Sequence, residues 1–227
     1  MKNEKDIALE FNEFSKNYTE DMIRCVPHYM DLVSSFTKNL PEDFKPENIL
    51  DLGCGNGNIT AQFIPYFPDS NYTLVDASKE MLDLCQKQLH DYNVKYCNTY
   101  FKDFHFEEGH YDLIVAGFSL HHCSNKERQA LFKKIYSALK KGGIFSYCDL
   151  MISKTNSDHP SLLKEWGGYV NSNFPDGEKW AWVMEHYKDY DNPTDYSLQL
   201  EWLKQAGFTN IQTPFKDGYW IYLQIQK

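Results

Sequence analysis

Nowhere in its 227 residues does the chain hold an apolar run near the ~18 residues that a membrane-crossing helix needs. Its start, MKNEKDIALEFNEF, carries no apolar stretch of the kind found in secretory leaders, so no membrane partner and a cytoplasmic location are expected. Positive charge is short as well: 23 Lys and Arg stand against 32 Asp and Glu, a formal net charge of −9. Affinity for a phosphate backbone comes from clustered Lys and Arg, so nucleic acid is not an expected partner. The pairs Lys133-Lys134 and Lys140-Lys141 fall on one predicted helix and its end and read as a solvated face. Any C-x-x-C pair is also missing. Cys25, Cys54, Cys85, Cys97, Cys123 and Cys148 are scattered, which fits reduced, mostly buried thiols better than disulfides or a zinc site, and no metal is expected. No internal repeat or low-complexity tract is found.

What is present suits one folded domain with a sizeable core, at 42% hydrophobic and 16% aromatic content. From Asn48 to about Leu150 short apolar runs alternate with amphipathic stretches. NILDL, YTLVDA, VKYCNTYF, YDLIVAGFSL and IFSYCDL read as strands. Between them, a helix is predicted from Asn58 to Tyr66, and SKEMLDLCQKQLHDY sets Met81, Leu84, Cys85 and Leu89 at helical spacing behind a Ser78 cap. NKERQALFKKIYSALKKGG reads as a helix closed by glycine. Strands alternating with helices imply crossovers, hence a doubly wound, mostly parallel sheet.

This core, residues 46–150, is flanked by a helical amino-terminal cap over residues 1–45. An aromatic-rich insertion or lid follows at 151–194, where Trp166, Tyr169, Phe174, Trp180, Trp182, Tyr187 and Tyr190 sit among Gly, Asn and Asp. Residues 195–227 read as a closing helix and a hairpin around KDG.

ILDLGCGNGN, Ile49 to Asn58, places three glycines in five positions directly after the first strand. Glycine lets a ligand approach the amides at a helix start, and the carboxyl end of an open parallel sheet is where such sheets bind ligands, so Gly53, Gly55 and Gly57 mark a seat. Asp76 ends the second strand about 20 residues on, where a carboxylate can accept ribose hydroxyls. Asp103 and Phe104 follow the third strand, where an acid and a ring can meet an adenine. A dinucleotide fingerprint, G-x-G-x-x-G, needs a glycine where this chain has Asn58. A nucleotide cofactor without a pyrophosphate therefore fits better than a nicotinamide dinucleotide. An oxidoreductase and a non-catalytic binding protein stay open as alternatives.

Together, ILDLGCGNGN, LVDAS with Met81 downstream, KDF at 102–104, YDLIVAGFSLHH and LKKGGIFSYCD resemble the class I methyltransferases that use S-adenosylmethionine. The closing segment, WLKQAGFTNIQTPFKDGYWIYLQI, is similar to that family's final antiparallel strand, which implies a seven-stranded Rossmann-like sheet. The resemblance implies that Asp51, Gly53, Cys54, Gly55 and Gly57 surround the amino-acid part of the cofactor. It places Asp76, Ala77 and Met81 at the ribose and adenine, Lys102, Asp103 and Phe104 at the adenine, and Ala116, Gly117 and Phe118 over the sulfonium side. The stretch DMIRCVPHY resembles the start of carboxy-S-adenosylmethionine synthases, where this helix covers the cofactor, so Tyr18 and Arg24 join the set. In those synthases an arginine of the last helix recognises the extra carboxylate; alignment puts Trp202 there, which favours ordinary S-adenosylmethionine.

Methyl transfer is an in-line displacement in which orientation and a dry pocket supply most of the catalysis, and a base matters only for a protonated nucleophile. His122, Asp149 and His28 are the candidate bases, with His121 beside His122 as a structural or catalytic partner. The position after the fourth strand lacks the Asn/Asp-Pro-Pro-Tyr signature of amide and nucleobase methylation and reads AGFSLHH. A small-molecule acceptor is the expected partner, walled by the aromatic segment. A homodimer is compatible with the sequence.

Overall fold

The computed structural model describes residues 7–11 and 17–227, so residues 1–6 and 12–16 of the expected amino-terminal cap lie outside the described part. In chain order the elements are helix α1 (7–11), α2 (Tyr18–Cys25), α3 (Tyr29–Lys38), β1 (Asn48–Leu52), α4 (Asn58–Phe63), β2 (Asn71–Asp76), α5 (Lys79–Gln88) and β3 (Val94–Asn98). There follow β4 (Tyr111–Gly117), a 3-10 turn (Leu120–His122), α6 (Asn125–Ala138), β5 (Leu139–Leu150), α7 (His159–Asn173), α8 (Glu178–Tyr190), α9 (Tyr196–Ala206), β6 (Asn210–Asp217) and β7 (Trp220–Gln226).

The seven strands form one sheet in the order β3-β2-β1-β4-β5-β7-β6. Strands β1 to β5 are parallel, and β7 runs antiparallel between β5 and β6. Strand β1 is buried on both faces, which is why Ile49, Leu50 and Leu52 are apolar on both of its faces. Its side chains alternate between two cores. Ile49 joins Leu113, Phe63, Phe36 and Cys85 on one side, while Leu50 joins Ile114, Phe132, Ile135 and Leu203 on the other. Because β1 pairs β2 on one flank and β4 on the other, the chain order reverses there, and the crevice lies beyond the carboxyl ends of β1 and β4.

Several boundaries differ from the sequence expectation, each for a local reason. The first helix stops at Phe63. Strand β3 ends at Asn98 rather than Phe101, because the backbone turns: Thr99 N donates to Asp76 O and Asp103 N to Tyr100 O, both at 3.0 Å. Strand β4 ends at Gly117 because Phe118 takes a left-handed backbone, φ 53°. Helix α6 has no glycine cap; it ends at Ala138, and Leu139 already begins β5. Its start follows the expected chemistry, with Ser124 and Glu127 forming a reciprocal capping box.

Residues 151–194 hold two full helices. Trp166, Val170, Val183 and Tyr187 are buried in the same core as Ile49 and Leu113, and the Trp166 indole donates to Cys25 O at 2.6 Å. Among the described residues no helix is long and apolar enough to cross a membrane.

Candidate functional site

The ends of β1, β2 and β4 converge on the loop Gly53–Gly57. Four of its five amides donate within the protein. Gly53 N and Cys54 N donate to Val75 O at 2.8 and 3.1 Å, and Gly57 N donates to Cys54 O at 2.9 Å. Gly55 N donates to Asp76 Oδ2 at 2.8 Å. The loop is therefore not a nest of free donors awaiting a phosphate, and its glycines serve shape. At Gly55, φ is 54°, and a Cβ would come 3.2 Å from Met81 Cε and 3.8 Å from the Tyr18 ring, filling the space between side chains that face a cavity. At Gly57, φ is 91° and a Cβ would come 2.7 Å from Cys85 Sγ. That glycine lets α4 pack on α5 rather than admitting a ligand.

The cavity above this loop measures about 180 Å³. Gly53, Gly55, Asp76, Ala77 and Met81 line one side; Thr99, Tyr100, Phe101 and Lys102 line another. Tyr18 and Phe118 border it, with Ile7, Ala8 and Phe11 from α1. Tyr18 is held there by its neighbour: Thr19 Oγ1 accepts from Asn56 Nδ2 at 2.8 Å and Asn58 Nδ2 at 2.9 Å, while Asn58 also donates to the Tyr29 hydroxyl at 3.0 Å. Asn58, where a dinucleotide fold has glycine, thus ties α2 and α3 down onto the loop.

Asp76 is half-buried, and its loss of solvent raises its carboxyl pKa against the opposing pull of the Ser78, Gly55 and Ala77 amides. Burial drives Asp51 up to about 7, partly offset by the Thr60 hydroxyl. That hydroxyl donates to Asp51 Oδ2 at 2.7 Å.

Other expected cofactor residues stand apart from this cavity. Asp51, Cys54 and Gly57 support the loop from beneath. Asp103 is exposed and Phe104 turns into the second core against Phe106, because β3 ends early and brings Tyr100 and Phe101 forward instead. Ala116 is fully buried, and the absent Cβ of Gly117 leaves room for Ile59. Arg24 donates to Asn173 O and lies 3.8 Å over the Phe174 ring. Trp202 is buried in the second core and lines neither this cavity nor the next. Within one chain, then, that position carries no contrast with an arginine that meets a cofactor.

A second cavity of about 100 Å³ adjoins the first, and Phe11, Tyr18, Phe118 and His122 line both. Trp166, Trp182, Tyr187 and Trp220 wall it, with His121, His186, Asp149 and Asp191. Asp149, 2% exposed, sits 2.5 Å from His121 Nδ1. Burial opposes charge on His121, but Asp149 and Asp191 outweigh it and raise its pKa. On His122, burial and the charge of His121 act together and lower the pKa to about 4. Burial would raise Asp191, yet the surrounding imidazoles of His121, His122 and His186 hold it near 2. Of the expected bases, the structure brings His122 and Asp149 to this cavity but not His28. The His28 ring lies 3.2 Å from Asp217 and beside Phe215, at the opposite side of the α3 start.

Sequence reasoning passed over His186, Asp191 and Arg128. The first two belong to EHYKDYDNP, the last turns of α8 and the chain just after it, where His186 and Asp191 stand among aromatic residues without a recognisable ligand spacing. Arg128, 1% exposed, donates to the carbonyls of Leu120, Cys123 and Asn192 at 3.0, 3.1 and 2.6 Å. It braces the turn that carries both histidines, and an arginine on the apolar face of an otherwise regular helix was its one sequence signal.

Residues 49–143 match the family model for a methyltransferase domain. Over 92% of this chain and 90% of theirs, the carboxy-S-adenosyl-L-methionine synthases of Campylobacter fetus and Campylobacter lari are 24% and 27% identical to it. Among solved structures, a methyltransferase of Thermotoga maritima described as a possible histamine N-methyltransferase superposes with a TM-score of 0.62 at 15% identity, covering 96% of this chain and 97% of that one. Human N-acetylserotonin methyltransferase, in complex with S-adenosylmethionine, gives 0.63 at 16% identity, over 97% of this chain and 56% of that one. At these identities the structural likeness establishes the fold.

Proposed function

Because the chain is a class I S-adenosylmethionine-dependent methyltransferase, we propose that its acceptor is a small molecule held in the second cavity. The observation that carries this reading is the common wall. Phe11, Tyr18, Phe118 and His122 border both cavities, so the two binding spaces adjoin. When bound, S-adenosylmethionine supplies an electrophilic methyl group on a positively charged sulfur. The residues present fit it: Asp76 offers a half-buried carboxyl group, Gly55 leaves the space that a Cβ would fill, and Met81, Tyr100 and Phe101 give apolar walls.

This chain's own contribution is to orient and to keep water out. Aromatic walls bound a space close to that of a cavity which holds a single aromatic ring, on the order of 150 Å³, so the acceptor is compact. His122 is the side chain placed to meet the acceptor's reacting heteroatom. Asp149 acts through His121, fixing its ring, and is a positioning residue. The curated relatives named carboxy-S-adenosyl-L-methionine synthase raise the question of a carboxylated cofactor. None of the four shared residues is a lysine or arginine, so the wall between the cavities holds no fixed cation for an additional carboxylate, and ordinary S-adenosylmethionine is favoured. All six thiols are unpaired, which supports a reducing, cytoplasmic setting.

Calorimetry with S-adenosylmethionine, S-adenosylhomocysteine, carboxy-S-adenosylmethionine and a nicotinamide dinucleotide tests the cofactor. The two unmodified ligands are expected to bind and the dinucleotide not to. Transfer of labelled methyl to a panel of small amines, phenols and thiols then tests the acceptor class. Tight binding of the dinucleotide alone, or transfer only to protein or nucleic acid, would overturn the proposal.

A further inference from the structure

Three ring nitrogens surround a single carboxylate oxygen at one end of the second cavity. His122 Nδ1, His186 Nε2 and His121 Nε2 lie 3.3, 3.5 and 3.6 Å from Asp191 Oδ1. Although buried, Asp191 Oδ1 and His122 Nδ1 make no hydrogen bond. Buried polar atoms are ordinarily paired, and each exception requires a reason. The spacing supplies one. Ligands about 2.0–2.2 Å from a tetrahedral ion stand roughly 3.3–3.6 Å apart, which is longer than a good hydrogen bond and matches the separations between each ring and the carboxylate.

The surroundings support the same assignment independently. His121 Nδ1 faces Asp149 Oδ1 at 2.5 Å, so an N–H is held at Nδ1, and Nε2, 3.6 Å from Asp191 Oδ1, is the nitrogen left to bind an ion. This carboxylate–histidine pairing is the outer-shell arrangement that orients histidine ligands of metal ions. Donor atoms of His121, His122 and Asp191 all fall within 4.8 Å of one another. The carbonyls of Leu120 and Asn192 are both pinned by the buried Arg128, and Asn192 N donates to His121 O at 2.7 Å. The two chain segments that bear the donors are therefore fixed relative to each other without help from the donors themselves.

We propose that His121, His122 and Asp191 bind a divalent transition-metal ion, with His186 packed against the Asp191 carboxylate and a remaining coordination position open to the second cavity. Two imidazoles and one carboxylate suit zinc, iron, cobalt or nickel rather than magnesium or calcium, and three protein ligands with an open position is the pattern of a reactive rather than a purely structural site. This site departs from the expectation of no metal, which rested on cysteine spacing alone. It goes beyond the methyl-transfer reading and does not depend on it, since metal uptake is measured without turnover.

Chelator-treated full-length protein is titrated with Co²⁺ and Zn²⁺, followed by visible absorption and by metal content after gel filtration. One ion per chain is expected, with Co²⁺ bands of a four- or five-coordinate site. The near-isosteric Asp191→Asn and His122→Gln are each expected to lose more affinity than the roughly 10–100-fold that outer-shell changes produce, and Asp149→Asn to fall within that range. His28→Gln, far from the cavity, is expected to bind as wild type. Far-UV circular dichroism and thermal unfolding, recorded on every variant without metal, show that each is folded. No stoichiometric uptake by the wild type, or wild-type affinity in either Asp191→Asn or His122→Gln, would overturn the assignment.

Discussion

Asp51 sits at the end of β1 with one carboxylate oxygen bonded to Thr60 and the other buried without a partner. Burial is the main reason its pKa rises to about 7; in the unfolded chain it titrates near 3.8. Here the folded pKa is the raised one. The stability contributed by keeping the proton is fully present below about pH 4 and is lost as pH rises towards 7. Asp51→Asn keeps the shape and an acceptor for Thr60 but cannot titrate. The wild type should therefore fall behind this variant by roughly 2–3 kcal/mol more at pH 8 than at pH 5, read from paired urea denaturation curves. Parallel curves would show that Asp51 is ionised in the fold at both values. Asp76 answers to a different test. It already accepts from Gly55 N and Ser78 N at 2.8 Å, so Asp76→Ala should lower stability as well as weaken S-adenosylmethionine by more than tenfold, as loss of a charged acceptor worth about 1.5–3 kcal/mol implies. An unchanged dissociation constant would place the ribose elsewhere. The position of Asp76 was legible because it ends a strand about 20 residues past a glycine turn, and the structure puts it on the cavity wall. Asp103 misled because the same logic was applied to a strand that stops three residues earlier.

At the scale of elements, the packing of α4 on α5 and the bracing of the histidine turn each turn on one residue. Gly57 has φ 91°, and a Cβ would come 2.7 Å from Cys85 Sγ. Gly57→Ala should lose about 1–3 kcal/mol for the left-handed backbone alone, and more for the clash. Adding Cys85→Ala should return part of the second loss and none of the first, a coupling that a double-mutant cycle in denaturant measures. If the two changes simply add, α5 is not what the glycine accommodates. Arg128→Met removes the one donor group shared by the carbonyls of Leu120, Cys123 and Asn192. With one buried acceptor and two partly buried ones released, a loss of about 2–3 kcal/mol is expected, against little for a surface change such as Lys133→Met. The regular elements were readable because β1 is a short apolar run while α5 and α6 repeat their apolar residues at period 3.6 behind the cap residues Ser78 and Ser124. The turn and Asp191 were not, since they occupy irregular chain whose conformation depends on Arg128 and Asn192, contacts made across 64 residues that no local pattern announces.

For the whole molecule the decisive feature is that two cavities share four residues while each keeps walls of its own. The aromatic segment was expected as an insertion over the sheet, and its side chains divide between two tasks. Trp166 is core: it packs edge-on against Trp180, Tyr187 and Trp220 at 5.3–5.5 Å, and Trp166→Ala should cost about 3–5 kcal/mol of stability whatever the ligand. Trp182 is half-buried, stacks on His186 at 5.7 Å, and lines the second cavity but not the first. Its truncation should therefore separate the two binding events. S-adenosylmethionine affinity of Trp182→Ala should stay within about tenfold of wild type, a tolerance of ~1.4 kcal/mol, because every residue around Gly55 and Asp76 is untouched. For whichever acceptor the panel identifies, KM should rise several-fold, since the lost wall contacts the acceptor alike before and during transfer. Thermal unfolding recorded on the same sample guards against a general loosening, and Phe11→Ala gives the complementary case, as Phe11 faces both cavities and should weaken cofactor and acceptor together. Should Trp182→Ala instead lose cofactor affinity by more than tenfold while keeping the acceptor KM, the assignment of the two cavities would have to be exchanged.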